Sequence, residues 1–146
     1  MARIASVKPP VSFWAITVLL TLWGLSGCFA CWMQLGVSAA DIAKMPEPDR
    51  TVWLSMPTWA KAAYAGAVGT GLAGGIALLL RKAVARPLFL VSLVLVVIQF
   101  GWTFLSTDIV ALKGAAATVP FPLFIVAVGV FQLWYAGFAR GRGWIR

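Results

Sequence analysis

The chain has 146 residues, of which 62% are hydrophobic and only 11% charged, with a net charge of +8 and a mean hydropathy of +0.93. A soluble domain carries about 25% charged residues, so this composition excludes a globular protein with a water-facing surface. The absence of histidine excludes His-ligated haem, His-metal sites and histidine base catalysis, and the two cysteines cannot form a disulfide framework.

The basic excess does not point to nucleic acid. The Lys and Arg residues sit at the ends of apolar runs, where they act as topology signals and headgroup anchors. Runs of about 20 apolar residues can each cross roughly 30 Å of hydrocarbon. Four of them consume most of the chain. The expected fold is all-α: a single transmembrane domain over residues 1–146, a four-helix bundle with spans near 11–35, 57–80, 87–106 and 120–139, and short interfacial helices in the first outward loop.

Met1 to Pro10 is a short basic leader with Arg3 and Lys8. Val11 to Leu35 is the first span, with Trp14 near one interface and Trp32 near the other. Within it, Leu25-Ser26-Gly27-Cys28 has the form of a lipobox behind a basic n-region and an apolar h-region. That reading lipidates Cys28 and removes residues 1–27; hydrophobicity that continues through Leu35 argues instead for an uncleaved helix. Gly36 to Met56 is a polar connection. Ser38 and Asp41 have capping-box spacing, which predicts a short helix to Met45, stopped by Pro46 and Pro48. Asp49 to Met56 reads as an amphipathic segment at the membrane surface. Trp53 and Trp59 fall in the aromatic belt and are candidate partner contacts.

The second span, Pro57 to Leu80, organises the rest. Two rows of small residues recur every fourth position: Ala63, Ala67, Gly71, Gly75 and Gly66, Thr70, Gly74. In a water-exposed helix each glycine costs about 1 kcal/mol against alanine; in a bilayer small residues let a neighbouring backbone approach. Gly66, Thr70, Gly71, Gly74 and Gly75 are therefore predicted packing positions on the central helix. Arg81 to Arg86 is a tight basic turn. Pro87 opens the third span, which runs to Ser106 with Ser92, Gln99 and Thr103 inside it. Thr107 to Val119 is the second connection, whose first part also reads as an extension of the third helix. Pro120 and Pro122 open the fourth span, which contains Gln132 and ends near Ala139 before a basic tail.

Arg3, Lys8, Arg81, Lys82, Arg86, Arg140, Arg142 and Arg146 fall on one side, and Lys44, Arg50, Lys61 and Lys113 on the other. The Lys/Arg bias predicts both termini in the cytoplasm.

Two constellations carry candidate chemistry. Cys28 and Cys31 form a CxxC pair about 25 Å up the first helix at 1.5 Å per residue. Four-helix bacterial quinone reductases that form disulfide bonds combine this topology with such a motif. They relay electrons through a second cysteine pair, and residues 107–119 contain none. The plainer reading makes Gly24, Gly27, Cys28 and Cys31 small packing residues that face the second helix. The amides Gln34, Gln99 and Gln132 need partners in hydrocarbon. Gln99 and Gln132 lie roughly 18 Å and 10 Å from the basic ends of their helices. With Ser92 and Thr103 they form a candidate polar path; the plainer reading is helix–helix glue. No Asp, Glu, Lys or Arg lies deep in a span, which argues against ion-coupled transport.

Leu22-Trp23-Gly24-Leu25-Ser26-Gly27-Cys28, Met56-Pro57-Thr58-Trp59, the glycine run, Leu78-Leu79-Leu80-Arg81-Lys82, and Ser92 with Gln99 are similar to a group of small, uncharacterised bacterial inner-membrane proteins. Some of these carry a "sugar transporter" label. The resemblance implies a four-helix protein of the bacterial inner membrane and transfers no site residues. The expected function is non-enzymatic and cofactor-free: an accessory subunit beside other membrane proteins, or a homo-oligomer. The alternatives are a small-solute permease acting as a dimer, and a thiol-redox membrane protein using Cys28 and Cys31.

Overall fold

Each of the four apolar runs forms one unbroken helix in a computed structural model, which describes residues 7–146; the leader up to residue 6 lies outside the described residues. The helices are α1 (Val11–Leu35), α4 (Thr58–Leu79), α5 (Ala85–Ser106) and α8 (Pro120–Gly141). Their 25, 22, 22 and 22 residues span about 33–38 Å at 1.5 Å per residue, enough to cross a membrane. Short helices α2 (Ala39–Ala43), α3 (Glu47–Ser55), α6 (Ile109–Lys113) and α7 (Ala115–Thr118) fill the two connections at the end opposite the basic turn. The described residues contain no strand.

The predicted short helix is α2, and its N-cap follows the predicted pattern. Ser38 Oγ accepts from the Asp41 amide at 3.2 Å and donates to Asp41 Oδ2 at 2.8 Å. The surface segment 49–56 belongs to a helix that starts two residues earlier, at Glu47. Residues 107–119 do not extend α5. Thr107 is extended at ψ 156°, and Gly114, at φ +84°, separates α6 from α7 in a backbone conformation that a side chain would strain. Likewise α5 begins at Ala85, two residues ahead of Pro87, because proline fits a first helical turn.

The four long helices form a row in the order α1, α4, α5, α8, each antiparallel to the next. Small residues set the α1–α4 and α4–α5 seams. A Cβ on Gly24 of α1 would fall 2.9 Å from Leu72 Cα, and one on Gly75 of α4 would fall 3.1 Å from Thr21 Cα. Towards α5, a Cβ on Gly74 would meet the Phe89 ring at 2.6 Å, one on Gly71 would meet Ser92 Oγ at 3.1 Å, and one on Gly66 would meet Leu95 Cδ1 at 2.9 Å. Helix α4 is thus squeezed from two sides. Thr70 makes a different contribution: its hydroxyl donates back to the Gly66 carbonyl at 2.7 Å. One side-chain hydrogen bond ties α5 to α4, from Ser92 Oγ to the Ala67 carbonyl at 2.7 Å.

At the basic end the row closes into a core. Phe13, Leu78 and Phe89 are fully buried there, with Tyr135, Ala136, Ala139 and Ile145 around them. Phe13 stacks on Tyr135 and meets Trp144 edge-on. Lipid is as apolar as these side chains, so close packing rather than water exclusion holds this end together. Its backbone is tied by two matched helix endings. The Lys82 amide donates to the Ala77 carbonyl at 2.8 Å, and the Trp144 amide to the Ala139 carbonyl at 3.0 Å, each closing a Schellman motif. The left-handed residue is Gly143 (φ 74°) in α8 but Arg81 (φ 57°) in α4. Arg146 then joins the two endings: its amide donates to the Arg81 carbonyl, and its carbonyl accepts from the Ala83 amide.

Arg81 is therefore more than a charge at a helix end. Its Nε donates to the Trp144 carbonyl at 2.8 Å and its Nη2 to the Val7 carbonyl at 2.9 Å. These bonds hold a backbone conformation that costs a non-glycine residue about 1–2 kcal/mol. Arg81→Ala keeps that strain and loses the bonds, so it is expected to destabilise by about 1–3 kcal/mol. Arg81→Gly loses the same bonds but relieves the strain, and should unfold later than Arg81→Ala in a thermal melt in detergent. Equal melting of the two variants would show that the strain is not there.

Candidate functional site

Away from the basic end the row does not close in the same way. α1 and α8, its two outer members, meet through aromatic side chains, with Trp23 edge-on to Phe124 at 5.5 Å between ring centroids. Behind that contact the four helices enclose a cavity of about 370 Å³, within the range of about 300–1,000 Å³ for small-molecule pockets, which commonly form between bundle helices.

The cavity follows from the residue sizes along the seams. Gly24 and Gly27 on α1, Ala67 and Gly71 on α4 and Gly129 on α8 line it. Their lack of bulk leaves space that the surrounding Val96, Phe100 and Ile125 do not fill. The glycine row that brings α4 close to α5 thus also hollows the bundle. Towards the loop end the walls are Gln34, Tyr64, Phe100 and Phe121, within two turns of their helix ends. The lining includes no Asp, Glu, Lys or Arg.

Three of the four residues of the predicted polar path share this space. Ser92, Gln99 and Gln132 all line the cavity and are 8%, 9% and 4% exposed. Ser92 is already bonded to Ala67. The amides of Gln99 and Gln132 are different: no hydrogen bond joins either to another protein group among the described residues, and neither amide is sealed from the cavity. A bilayer offers no water to satisfy such groups. Among the described residues no hydrogen bond glues either to a neighbouring helix, and both belong to residues that line the chamber. Thr103 stands apart from them. Its hydroxyl donates to the Gln99 carbonyl of its own helix at 3.1 Å, and it does not line the cavity.

Three further polar residues line the cavity outside the predicted path: Ser26, Gln34 and Tyr64. The signal for Tyr64 was its spacing: with Ala67 and Gly71 it falls at i, i+3 and i+7, one face of α4.

The cysteines pack between helices. α1 runs unbroken through Leu25 to Cys28; Cys28 Sγ donates to the Val68 carbonyl of α4 at 3.3 Å, and Cys31 is buried. Both are free thiols in mid-helix, not at a helix N-terminus where a thiolate is stabilised. Among the described residues no group of three or more His, Cys, Asp or Glu gathers to hold a metal. At the loop end Lys61 lies over the Trp53 ring, 4.8 Å from its centroid, so Trp53 is engaged within the chain, whereas Trp59 is 53% exposed. Lys113 Nζ pairs with Asp49 Oδ1 at 2.7 Å and ties α3 to α6 across the two connections.

Comparison with known protein families, with curated proteins and with solved structures returned no match.

Proposed function

We propose that this protein binds a small neutral molecule inside the membrane, in the chamber between its four helices, and that the binding serves solute movement and not covalent chemistry. The observation that carries the reading is the pair of amides, Gln99 and Gln132, buried to about nine-tenths without a protein partner and facing a 370 Å³ cavity. An amide open to the cavity and without a protein partner is free to bond a ligand, and each such bond contributes about 0.5–1.5 kcal/mol. The uncharged lining supports a neutral ligand, since an ion here would meet no opposite charge. The protein belongs, in this reading, to a bacterial plasma membrane with its basic end in the cytoplasm; the split of Lys and Arg between the two sides supports that orientation.

Native mass spectrometry of the protein extracted gently from its own membranes tests the reading. The expected spectrum shows the chain with a bound small molecule that Gln99→Leu/Gln132→Leu loses while keeping its fold. A chain with no bound mass beyond lipids that the double variant also retains would overturn it. Partner proteins co-extracted at fixed stoichiometry would instead favour an interaction subunit, a second reading that the exposed Trp59 and Leu54 support at the loop end.

A further inference from the structure

We infer that the chamber takes its ligand sideways from the lipid, through the seam between α1 and α8, and that the ligand is a neutral amphiphile: an apolar body ending in a hydroxyl or carbonyl group. This rests on the reading that the chamber binds a small molecule.

Three observations on the seam carry the inference. First, it is built differently from the α1–α4 and α4–α5 seams, and unlike all three other seams it brings few backbone positions together. α1–α4 and α4–α5 are closed by glycines against backbone or buried rings, at approaches of 2.6–3.1 Å for an added Cβ. α1–α8 is bridged in its middle by Trp23 and Phe124, a T-shaped pair that rotamer changes can part without moving a helix. Second, residues on both sides of the seam face the cavity and the surface together: Ser26 on α1 and Phe121 on α8 line the chamber and are exposed, Phe121 to 66%. Third, the loop end is roofed on the α5–α8 side. α6 and α7 follow α5 and lead into α8, and the Asp49–Lys113 pair fastens α3 to α6.

The lining names the class of ligand. Aromatic and aliphatic side chains accept an apolar body. Gln99 and Gln132 each offer donors and an acceptor, which a single hydroxyl satisfies in both senses. A carbonyl uses the donors alone. Gln34 and Tyr64 add polar groups towards the loop end, and each hydroxyl of a polyhydroxylated solute pressed on the apolar remainder would cost about 1–3 kcal/mol.

The test uses the full chain in lipid nanodiscs with two photoreactive probes, a diazirine-bearing long-chain alcohol and a diazirine-bearing short polyol. The variant Trp23→Cys/Phe124→Cys, in a background of Cys28→Ser and Cys31→Ala, is bridged with a short bifunctional methanethiosulfonate that reductant removes. Labelling is mapped by peptide and referred to lipid-facing Leu123. The expected result is alcohol labelling around Gln99 and Gln132, lowered at least tenfold by the bridge and restored by reductant, with no polyol labelling there. Polyol labelling that the bridge leaves unchanged overturns the lateral route and the amphiphile but leaves a binding chamber. Alcohol labelling that ignores the bridge overturns the route. No labelling of the chamber by either probe overturns the underlying reading as well. Trp23→Ala provides a second measure free of cross-linking: labelling by the alcohol should rise several-fold, and an unchanged rate counts against the seam.

Discussion

Gly24→Val is expected to be among the most destabilising single substitutions in this chain, and Gly69→Ala among the most harmless, although both replace a helical glycine. A Cβ on Gly24 would fall 2.9 Å from Leu72 Cα and 3.2 Å from its amide nitrogen. That is backbone, so α1 must move away from α4 along its length. Overpacking of this kind costs about 1–3 kcal/mol, and more where the obstacle cannot turn aside. Gly75→Ala against Thr21, and Gly74→Ala against the fully buried Phe89 ring, should act in the same direction. At Gly69 and Gly101 an added Cβ meets nothing within 4 Å, and alanine should be neutral or stabilise by up to about 1 kcal/mol. Thermal unfolding in mild detergent, or reversible unfolding in a mixed micelle, ranks the five variants. A Gly24→Val protein as stable as Gly69→Ala would mean that α1 does not pack on α4 at this distance.

The second large effect separates binding from stability. Gln99→Leu and Gln132→Leu should each weaken retention of the chamber's ligand by about tenfold, roughly 1.4 kcal/mol for one lost hydrogen bond and its stranded partner. The same variants should be about as stable as the parent, because each removes an amide that bonds no protein partner. Glue between helices makes the opposite forecast, with loss of stability on either substitution. Ser92→Ala serves as the internal contrast: its hydroxyl does bridge α5 to α4, and its loss should cost about 0.6–1.7 kcal/mol of stability. If Gln132→Leu destabilises as Ser92→Ala does, the amides are structural after all.

The fold was legible because the signals that build it are long. Four runs of apolar residues, basic ends and prolines at helix starts determine which segments form the four membrane-length helices, and each signal extends over many positions. The glycine rows of α4 were legible for the same reason: their spacing is a property of one helix. The chamber was only half legible. Ser92, Gln99 and Gln132 stood out as polar residues in apolar runs. Whether a glutamine bonds its neighbour or faces a cavity, however, depends on the distance between helices, and that distance emerges from pairs such as Gly24 with Leu72 that no single helix encodes. Thr103 shows the limit from the other side. It has the right type and position, yet a threonine hydroxyl can bond the carbonyl four residues back, and here it does. Tyr64 lay hidden because an aromatic near a helix end is usually an interfacial anchor. Arg81 was legible as a charge and illegible as a left-handed clamp, since the partners of that clamp lie 63 and 74 residues away in the sequence.

The packed core of Phe13, Phe89 and Tyr135 at the basic end makes the chamber a one-ended well. A molecule inside it is cut off from the basic side and reaches the lipid through the α1–α8 seam, so its occupancy would track its chemical potential in that lipid. In this conformation the chamber has no passage to the basic side. Through-passage requires the aromatic stack around Phe13 to part while the Arg81 bonds to Val7 and Trp144 keep the helix ends together. Any turnover would then be set by how often that stack loosens, with the affinity of the amides above it deciding only how full the well is when it does.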